Sequence, residues 1–306
     1  MSGVWVAGSV RAREIAGRRL GAAATRELAA SGSLDQALRA LAGTLYDRGL
    51  MPSQDLASAQ HCITGTVVWY LRILAGWLQQ DGRQLMRVLA GWFEIANVDE
   101  MLQRMAGRPA DDSFELGALS TAWPRLERSA SLAALRAALA ASAWNDPGGA
   151  SELAIRVGMR VRWAQRVAAF GDPAHVWAAR AVALLVAGER FGAGRRLEPS
   201  IAGAVAIMLG KGAANAATLE ELKSQLPTQL ACVFEEVRAP RDLWLAEAAW
   251  WARLERDASA LLAKSVLGYP TVLGAVAVLA SDARRVSAAL EIAARGGPVE
   301  AYDALA

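Results

Sequence analysis

The chain has 306 residues, of which 54% are hydrophobic and 21% are charged, and its formal net charge at pH 7 is +3. This composition excludes a disordered chain, and the near balance of charges gives no indication of a protein that binds nucleic acid through its overall charge. Two cysteines, Cys62 and Cys232, are too few for a disulfide scaffold, so we expect a reducing compartment, the cytoplasm.

No segment of the sequence predicts insertion into a membrane. The two most apolar windows, residues 176–188 and 270–281, are shorter than the about 20 residues that a spanning helix needs, and the first contains Arg180. Within residues 1–21 the arginines follow the apolar residues, which reverses the order of a secretory signal. We therefore expect neither export nor a transmembrane segment.

The whole chain is predicted to be helical. Alanine and leucine are abundant, β-branched residues rarely cluster, and no long stretch alternates polar with apolar residues. We expect about a dozen helices joined by short loops. The residues placed to cap a helix start are Ser33, Ser53, Asp172 and Thr218. The looser stretches divide the chain into three expected lobes, near residues 1–110, 111–200 and 201–306, which together form one compact body.

The best-defined helix is predicted over residues 82–106. Asp81 is placed to cap the free amides of its first turn, and Gly107 marks its end. Its apolar stripe consists of Leu85, Val88, Leu89, Trp92, Ile95, Ala96 and Leu102. Glu94 is expected nearly opposite that stripe and Asn97 about 60° from it. We expect both polar side chains to have a structural role and to tie lobes together by hydrogen bonds.

The letters LAGW occur twice, at residues 74–77 and 89–92. The first copy is expected at the end of one helix and the second in the middle of the next, so we interpret them as a packing unit used twice rather than as repeat units. In each copy the glycine is expected to let a neighbouring helix approach closely, while the tryptophan fills the remaining volume.

No catalytic, cofactor or metal site is predicted. A metal ion would need about four converging ligands, whereas His61 and Cys62 point about 100° apart on a helix and the other histidine and cysteine are distant in sequence. A histidine base for a nucleophile could be only His61 or His175, and neither lies in a glycine-rich turn. Neighbouring carboxylates elsewhere in the chain are typical of a solvated surface.

One helix face, within residues 151–170, is the candidate for binding a partner. It consists of Arg156, Arg160, Trp163, Arg166 and Phe170, opposite an apolar stripe of Leu153, Val157, Ala164 and Ala168. The basic and aromatic side chains could grip an acidic partner or stack on nucleic acid. The alternative, which the sequence favours, is that the arginine stems lie over a tryptophan at the surface or between lobes.

Residues 87–109, RVLAGWFEIANVDEMLQRMAGRP, contain the pattern aromatic-x-x-I-x-N-V. This stretch resembles a segment of the C subunit of bacterial and archaeal V/A-type rotary ATPases, which is called subunit d in eukaryotes. The matched positions are Trp92, Ile95, Asn97 and Val98, and Glu94 lies between them.

Further stretches resemble the same family in the same order. Residues 10–20 are similar to its arginine-bearing first helix, residues 34–46 to a later L-x-x-T-x-Y ending, and residues 131–147 to its middle segment. Residues 282–297 resemble its last motif, with Arg285 where the family has asparagine. The matched positions of these stretches are Leu41, Thr44, Tyr46, Asp282, Arg284 and Val286.

The resemblance implies a funnel-shaped, all-α body of three related lobes around a pseudo-threefold axis. In the rotary machine such a body sits on the membrane proteolipid ring and receives the tip of the central shaft, as a coupling that has no catalysis of its own. The implied partners are therefore the central shaft and the ring. The implied location is cytoplasmic, peripheral to the inner cell membrane, and no cofactor is implied.

Two other functions stay open from the sequence. The chain could be a free-standing helical scaffold or regulator that binds nucleic acid through the arginine-aromatic face. It could also be a cofactor-free helical enzyme, which would require a closed apolar pocket with converging acids.

Overall fold

The computed structural model describes residues 5–305, and every regular element in that range is helical. The all-α prediction is therefore confirmed. In chain order the α-helices are α1 (Val6–Gly17), α2 (Gly21–Ala29), α3 (Leu34–Ala40), α4 (Leu56–Gly76), α5 (Gln80–Met105), α6 (Trp123–Leu126), α7 (Leu132–Ala140), α8 (Glu152–Ala168), α9 (Ala174–Ala187), α10 (Pro199–Leu209), α11 (Lys211–Asn215), α12 (Leu219–Gln225), α13 (Thr228–Ala231), α14 (Leu243–Ala263), α15 (Tyr269–Arg295) and α16 (Val299–Leu305). Short 3-10 turns lie at Gly117–Leu119, Cys232–Phe234 and Pro240–Asp242, and a π turn lies at Gly188–Gly192.

The chain forms two compact units. The first contains Met1–Met86 together with Trp251–Ala306, and the second contains Arg87–Trp250. The first unit thus combines segments from both ends of the sequence, whereas each predicted lobe is one continuous segment. The three consecutive lobes, and their arrangement around a pseudo-threefold axis, stay predictions.

Helix α15 is the central element of the first unit, where it packs against α1, α2, α3, α4 and α16. Pro270 lies in its first turn, where a missing amide hydrogen costs no helical hydrogen bond. Gly296 ends the helix in the left-handed conformation, with φ 64°. Val278 and Leu290 are among its buried side chains, and each such side chain contributes about 1.5–3 kcal/mol through removal of apolar surface from water.

Helix α8 is a central element of the second unit and packs against α9 and α10. Ile155 and Val161 are fully buried on its apolar side. Gly158 allows the chain at Pro147 to cross α8 closely, because a Cβ atom at this position would lie only 2.3 Å from the Pro147 carbonyl oxygen. A larger residue at this crossing would therefore force the two segments apart.

Helix α5 extends over Gln80–Met105, so it begins earlier than predicted. Asp81 lies inside its first turn and is not the cap, which corrects the sequence-based expectation; a carboxylate there still interacts favourably with the positive end of the helix. The expected end is confirmed, since Gly107 follows the helix with φ 69°.

The burial of α5 side chains differs from the predicted single stripe. Leu85, Ile95 and Leu102 are buried as expected, but Trp92 is 44% exposed. Glu94, which was expected nearly opposite the stripe, is 0% exposed. The reason is that further segments of the second unit pack on the side of α5 that carries Glu94, so this helix has no purely polar face at that level.

The two LAGW copies differ in their packing. As predicted, the first lies at the end of α4 and the second inside α5. A Cβ atom at Gly91 would lie 3.0 Å from a Trp163 carbon and 3.2 Å from a Trp144 carbon, whereas one at Gly76 would meet nothing within 4 Å. Trp77 is also 55% exposed. The close-packing interpretation therefore holds for Gly91 and is wrong for the first copy.

Of the four predicted helix caps, two are confirmed and two are wrong. The Ser33 side chain accepts a hydrogen bond from the Gln36 amide at the start of α3, and the Thr218 side chain accepts one from the Glu221 amide at the start of α12. Each bond satisfies an amide that has no acceptor within its own helix.

The other two predicted caps are corrected by the structure. Ser53 does not cap α4, because the Asp55 side chain accepts the hydrogen bond from the Ser58 amide there. Asp172 does not cap α9, which follows Pro173 without a side-chain cap.

None of the helices between residues 5 and 305 combines the length and the hydropathy that crossing a bilayer requires.

Candidate functional site

Glu94, one of the family-motif residues, lies in the interior of the second unit. Its Oε1 atom accepts hydrogen bonds from the Ala122 amide at 2.8 Å and from the Trp144 indole nitrogen at 2.7 Å. Its Oε2 atom accepts from the Thr121 amide at 2.6 Å and from the Ser120 hydroxyl at 3.3 Å. Because four donors surround one carboxylate, charge-assisted hydrogen bonds offset the cost of burying its charge.

We call Glu94, the amides of Thr121 and Ala122, and the Trp144 side chain the Glu94 module. Helix α6 begins at Trp123, so the two amides precede its first turn, where backbone N–H groups have no helical acceptor. A carboxylate from α5 supplies that acceptor. Trp144 is fully buried, and its part in this module was not predicted from the sequence.

Arg166 belongs to the surroundings of this module rather than to an open face. Its guanidinium carbon lies 5.1 Å from the centre of the Trp144 ring, and its Nη2 atom donates to the Thr121 hydroxyl at 3.4 Å. Burial lowers the pKa of the Arg166 guanidinium, and the nearby charge of Glu94 opposes that shift. The arginine thus provides a positive charge beside the buried carboxylate.

Asn97 fixes the segment that follows α5. Its Nδ2 atom donates to the Phe114 carbonyl at 3.0 Å, and its Oδ1 atom accepts from the Phe114 amide at 2.7 Å. This pair satisfies both backbone groups of one residue in a stretch without regular structure. Ile95 and Val98, the apolar members of the same motif, are each 1% exposed and belong to the core.

Asp282, the acid of the last family motif, occupies a similar environment in the first unit and is 0% exposed. Its Oδ2 atom accepts from the Leu20 amide at 3.0 Å and from the Tyr46 hydroxyl at 2.9 Å, and its Oδ1 atom accepts from the Gly21 amide at 2.8 Å. We call these four residues the Asp282 module. Burial and the adjacent carboxylate raise the pKa of the Tyr46 hydroxyl well above its usual value.

The two arginines after Asp282 have separate partners within the first unit. The Arg284 guanidinium lies 5.3 Å from the centre of the Trp251 ring, which is a cation-π distance. Arg285, at the position where the family that the sequence resembles has asparagine, forms a largely buried ion pair with Glu255. This departure from the motif therefore has its own structural explanation.

The two modules have the same construction. In each, an acid from a long helix accepts hydrogen bonds from two consecutive amides at the start of a short helix and from an aromatic side chain. In both units the helix that follows the short one is capped by a serine, Ser33 for α3 and Ser131 for α7. The aromatic donor lies thirteen positions after that serine in each case, at Tyr46 and at Trp144. Both units thus contain one copy of the same structural motif.

The segments before the two aromatic residues also have the same local hydrogen bonds. In the first unit the Thr44 hydroxyl donates to the Leu41 carbonyl at 2.6 Å and accepts from the Tyr46 amide at 3.2 Å. In the second unit the hydroxyl of Ser142 donates to the Leu139 carbonyl at 2.7 Å and accepts from the amide of the next aromatic residue, Trp144, at 3.1 Å. The sequence contains this relation between the two segments as a shared spacing of a serine, a leucine, a threonine or serine, and an aromatic residue.

The residues of the predicted arginine-aromatic face bind several different partners within the second unit. Arg156 and Arg160 both bind Asp99 of α5, at 3.1 Å and 2.6 Å. The Trp163 indole donates to the Val88 carbonyl at 2.8 Å. All five residues of the face are half-buried, and Arg156, Arg160, Trp163 and Arg166 have partners within the second unit. The face is therefore not an open basic surface, which weakens the alternative of nucleic-acid binding through the whole face.

Other sites give no chemistry to assign. Within residues 5–305 no group of three or more histidine, cysteine, aspartate or glutamate side chains is arranged to hold a metal ion. A cavity of about 20 Å³ lies beside Leu153, Val157 and Ile201, which is room for a water molecule but not for an organic substrate.

In comparisons with known proteins, no protein-family model and no curated protein matches the chain. The resemblance to the C subunit of V/A-type rotary ATPases stays a prediction that depends on the motif residues.

Proposed function

We propose that this chain is the non-catalytic socket subunit of a V/A-type rotary ATPase, which couples the central shaft to the membrane proteolipid ring during ATP-linked ion transport. The observation that supports this best is the equivalence of Glu94 and Asp282. These acids come from two of the stretches that resemble the family, residues 87–109 and 282–297, and each accepts hydrogen bonds from two consecutive amides at a helix start. Lobes that are copies of one another would have such equivalent positions.

A third helix start supports a further related lobe. Thr218 caps α12 in the way that the serines cap α3 and α7. Leu226 follows Thr218 by eight positions, the interval that separates Ser33 from Leu41 and Ser131 from Leu139. These three leucines are all buried. The pattern fits the three related lobes of the proposed family, with the third copy retaining the cap and the leucine.

The modules suit a part that transmits torque. A socket must deform little under load, and its helix positions must therefore be strongly specified. Each buried acid fixes a helix start through several short hydrogen bonds, which weaken only if the helices separate. Close packing around glycine and tryptophan in the second unit adds to that stiffness, because a dense interior transmits strain.

Purification from native membranes tests the proposal. The chain would be tagged in the organism that encodes it, extracted in mild detergent and analysed by quantitative mass spectrometry. We expect shaft and proteolipid subunits in fixed proportion to the chain. A matched pair of variants provides the control: Glu94→Ala should lose these partners by disrupting the second unit, whereas Glu127→Ala at an exposed position should keep them. Recovery of an intact rotary complex that lacks the chain would contradict the proposal.

A further inference from the structure

One solvent-facing aromatic side chain in the second unit is held rigidly in place. Trp92 is 44% exposed, although its neighbours Phe93, Glu94 and Ile95 on α5 are buried. Its ring centre lies 5.2 Å from that of Trp163, with an angle of 52° between the planes, and the Arg160 guanidinium carbon lies 5.7 Å from its ring. A large amphipathic side chain fixed on two sides and open to solvent has the features of a binding hot spot.

The charges beside Trp92 are not balanced. Arg156 and Arg160 share the single carboxylate of Asp99, which is only 17% exposed in its side chain, whereas the Arg156 side chain is 43% exposed. Glu152, the acid at the start of α8, already pairs with Arg108 at 2.8 Å. The two arginines therefore carry one positive charge more than Asp99 neutralises, and the more exposed of them, Arg156, lies one turn of α8 before Arg160, whose guanidinium lies over the indole. We call Trp92, Arg156, Arg160 and Asp99 the Trp92 surface.

We propose that the Trp92 surface binds an acidic protein segment, which places an apolar side chain on the Trp92 ring and a carboxylate against Arg156. A carboxylate matches the planar fork of an arginine, and an aliphatic or aromatic side chain matches the exposed indole. The inference rests on the proposed function, in which the partner is another subunit of the rotary complex, and it adds the chemistry of the contact.

The same observations argue against a nucleic acid as the occupant. Binding to nucleic acid draws most of its affinity from several phosphate contacts, and the Trp92 surface offers a single uncompensated positive charge. Asp99 lies between the two arginines and would repel a second phosphate. A protein segment needs only one carboxylate at this place, so the surface fits it better.

Variants of the full-length tagged chain test the inference by the same purification from native membranes. Trp92→Ala and Arg156→Gln should each reduce the recovered partner subunits by about tenfold. Arg156→Gln should leave the melting temperature of the isolated chain unchanged, whereas Trp92→Ala should lower it, because it also removes the contacts of the ring with Trp163 and Arg160. The matched controls are Trp77→Ala, at an exposed tryptophan of the first unit, and Arg128→Gln, at an exposed arginine of the second; both should leave recovery unchanged. Undiminished recovery with both test variants overturns the inference while the proposed function stands.

A second measurement decides the inference even if no rotary subunit accompanies the wild-type chain, an outcome that rejects the proposed function alone. Fluorescence anisotropy would compare the binding of three labelled probes. The first is a helical peptide with leucines on one face and glutamates on the other, the second is the same peptide with glutamine in place of glutamate, and the third is a single-stranded RNA of matched length. We expect the glutamate peptide to bind at least tenfold more tightly than the glutamine peptide, and Arg156→Gln to abolish this difference. Equal binding of the two peptides, or tighter binding of the RNA that depends on Arg156, would overturn the inference.

Discussion

The Glu94 module of the second unit and the Asp282 module of the first unit perform the same structural task with different residues. In both, a buried carboxylate accepts hydrogen bonds from two consecutive amides at a helix start, but the third donor is an indole in one and a phenol in the other. The longer glutamate has an additional donor in Ser120 and a positive neighbour in Arg166. The backbone part of the arrangement is thus retained, while the side-chain donor varies.

This difference has a consequence for charge. The indole of Trp144 does not ionise, whereas the phenol of Tyr46 does so at high pH. The Asp282 module can therefore lose its third donor through titration, and the Glu94 module cannot. The four tyrosines of the sequence, Tyr46, Tyr70, Tyr269 and Tyr302, all belong to the segments of the first unit. We expect alkaline conditions to affect the first unit first.

Removal of the second unit's acid should have the largest effect. Glu94→Ala leaves two amides and the Trp144 indole buried without their acceptor and leaves Arg166 without its negative neighbour, so we expect a loss of about 3–5 kcal/mol in the free energy of unfolding. Urea denaturation followed by circular dichroism measures this loss. Glu127→Ala, on the exposed surface of the same unit, should change stability by less than about 0.5 kcal/mol. A loss below about 1 kcal/mol for Glu94→Ala would show that the module is not a stabilising element.

The corresponding change in the first unit should cost less. Asp282→Asn retains the size of the side chain but removes its charge and turns one oxygen acceptor into a donor, so we expect a loss of about 2–3 kcal/mol. The exposed Asp47, next to Tyr46 in sequence, provides the control as Asp47→Asn. Thermal melting at pH 7 compares the variants. If Asp282→Asn proves more destabilising than Glu94→Ala, the ranking of the two modules by their number of donors is wrong.

Alanine substitution in the two LAGW copies should separate them. Gly91→Ala forces a Cβ atom to within 3.0 Å of Trp163 and 3.2 Å of Trp144, next to the Glu94 module, and we expect a loss of about 1–2 kcal/mol. Gly76→Ala meets open space at the end of α4, and we expect a change within about 0.5 kcal/mol. Chemical denaturation of both variants provides the test. Equal effects would indicate that crowding around Gly91 does not constrain the second unit.

The smallest effect at neutral pH is expected for Tyr46→Phe, which removes one hydrogen bond to Asp282 and should cost about 1 kcal/mol. The pH dependence of the stability of this variant, compared with that of the wild type, is more informative. Because the pKa of Tyr46 is raised in the folded state, its stabilising contribution is complete below the ordinary tyrosine pKa near 10 and falls as the pH rises above it. The wild-type chain should therefore lose up to about 1.4 kcal/mol per pH unit above pH 10 through this residue, and Tyr46→Phe should lose correspondingly less.

Urea midpoints at several pH values between 9 and 11.5 measure that difference. Tyr269, whose pKa burial raises to about 12, and Tyr302, whose pKa burial also raises, add to the alkaline loss in both proteins and do not affect the comparison. Parallel pH profiles for wild type and Tyr46→Phe would contradict the assigned titration of Tyr46.

The sequence predicted those features that depend on nearby residues. The helical class, the end of α5 at Gly107 and the caps Ser33 and Thr218 all follow from local propensity and from hydrogen bonds over three or four positions. The start of α5 was missed because Asp81 is as favourable inside a first turn as at a cap.

The candidate sites depend on contacts between distant residues, which local patterns do not encode. Glu94 becomes buried only because residues 120–122 and Trp144 pack on it from positions 26–28 and 50 further along the chain. Asp99 lies 57 positions before Arg156, so its ion pairs with the arginine face could not be found from α8 alone. The repeated spacing from Ser33 to Tyr46 and from Ser131 to Trp144 is visible in the sequence. Only the structure shows that these two aromatic residues donate to the buried acids Asp282 and Glu94.

The socket function that we propose requires this chain to couple ATP hydrolysis to ion movement, and ATP-driven ion transport in inverted membrane vesicles measures that coupling directly. Vesicles from a strain that lacks the chain should retain ATP hydrolysis by the catalytic part of the rotary complex but lose ion transport, and expression of the wild-type chain should restore transport. Ion transport at the wild-type rate in vesicles without the chain would contradict the proposed function.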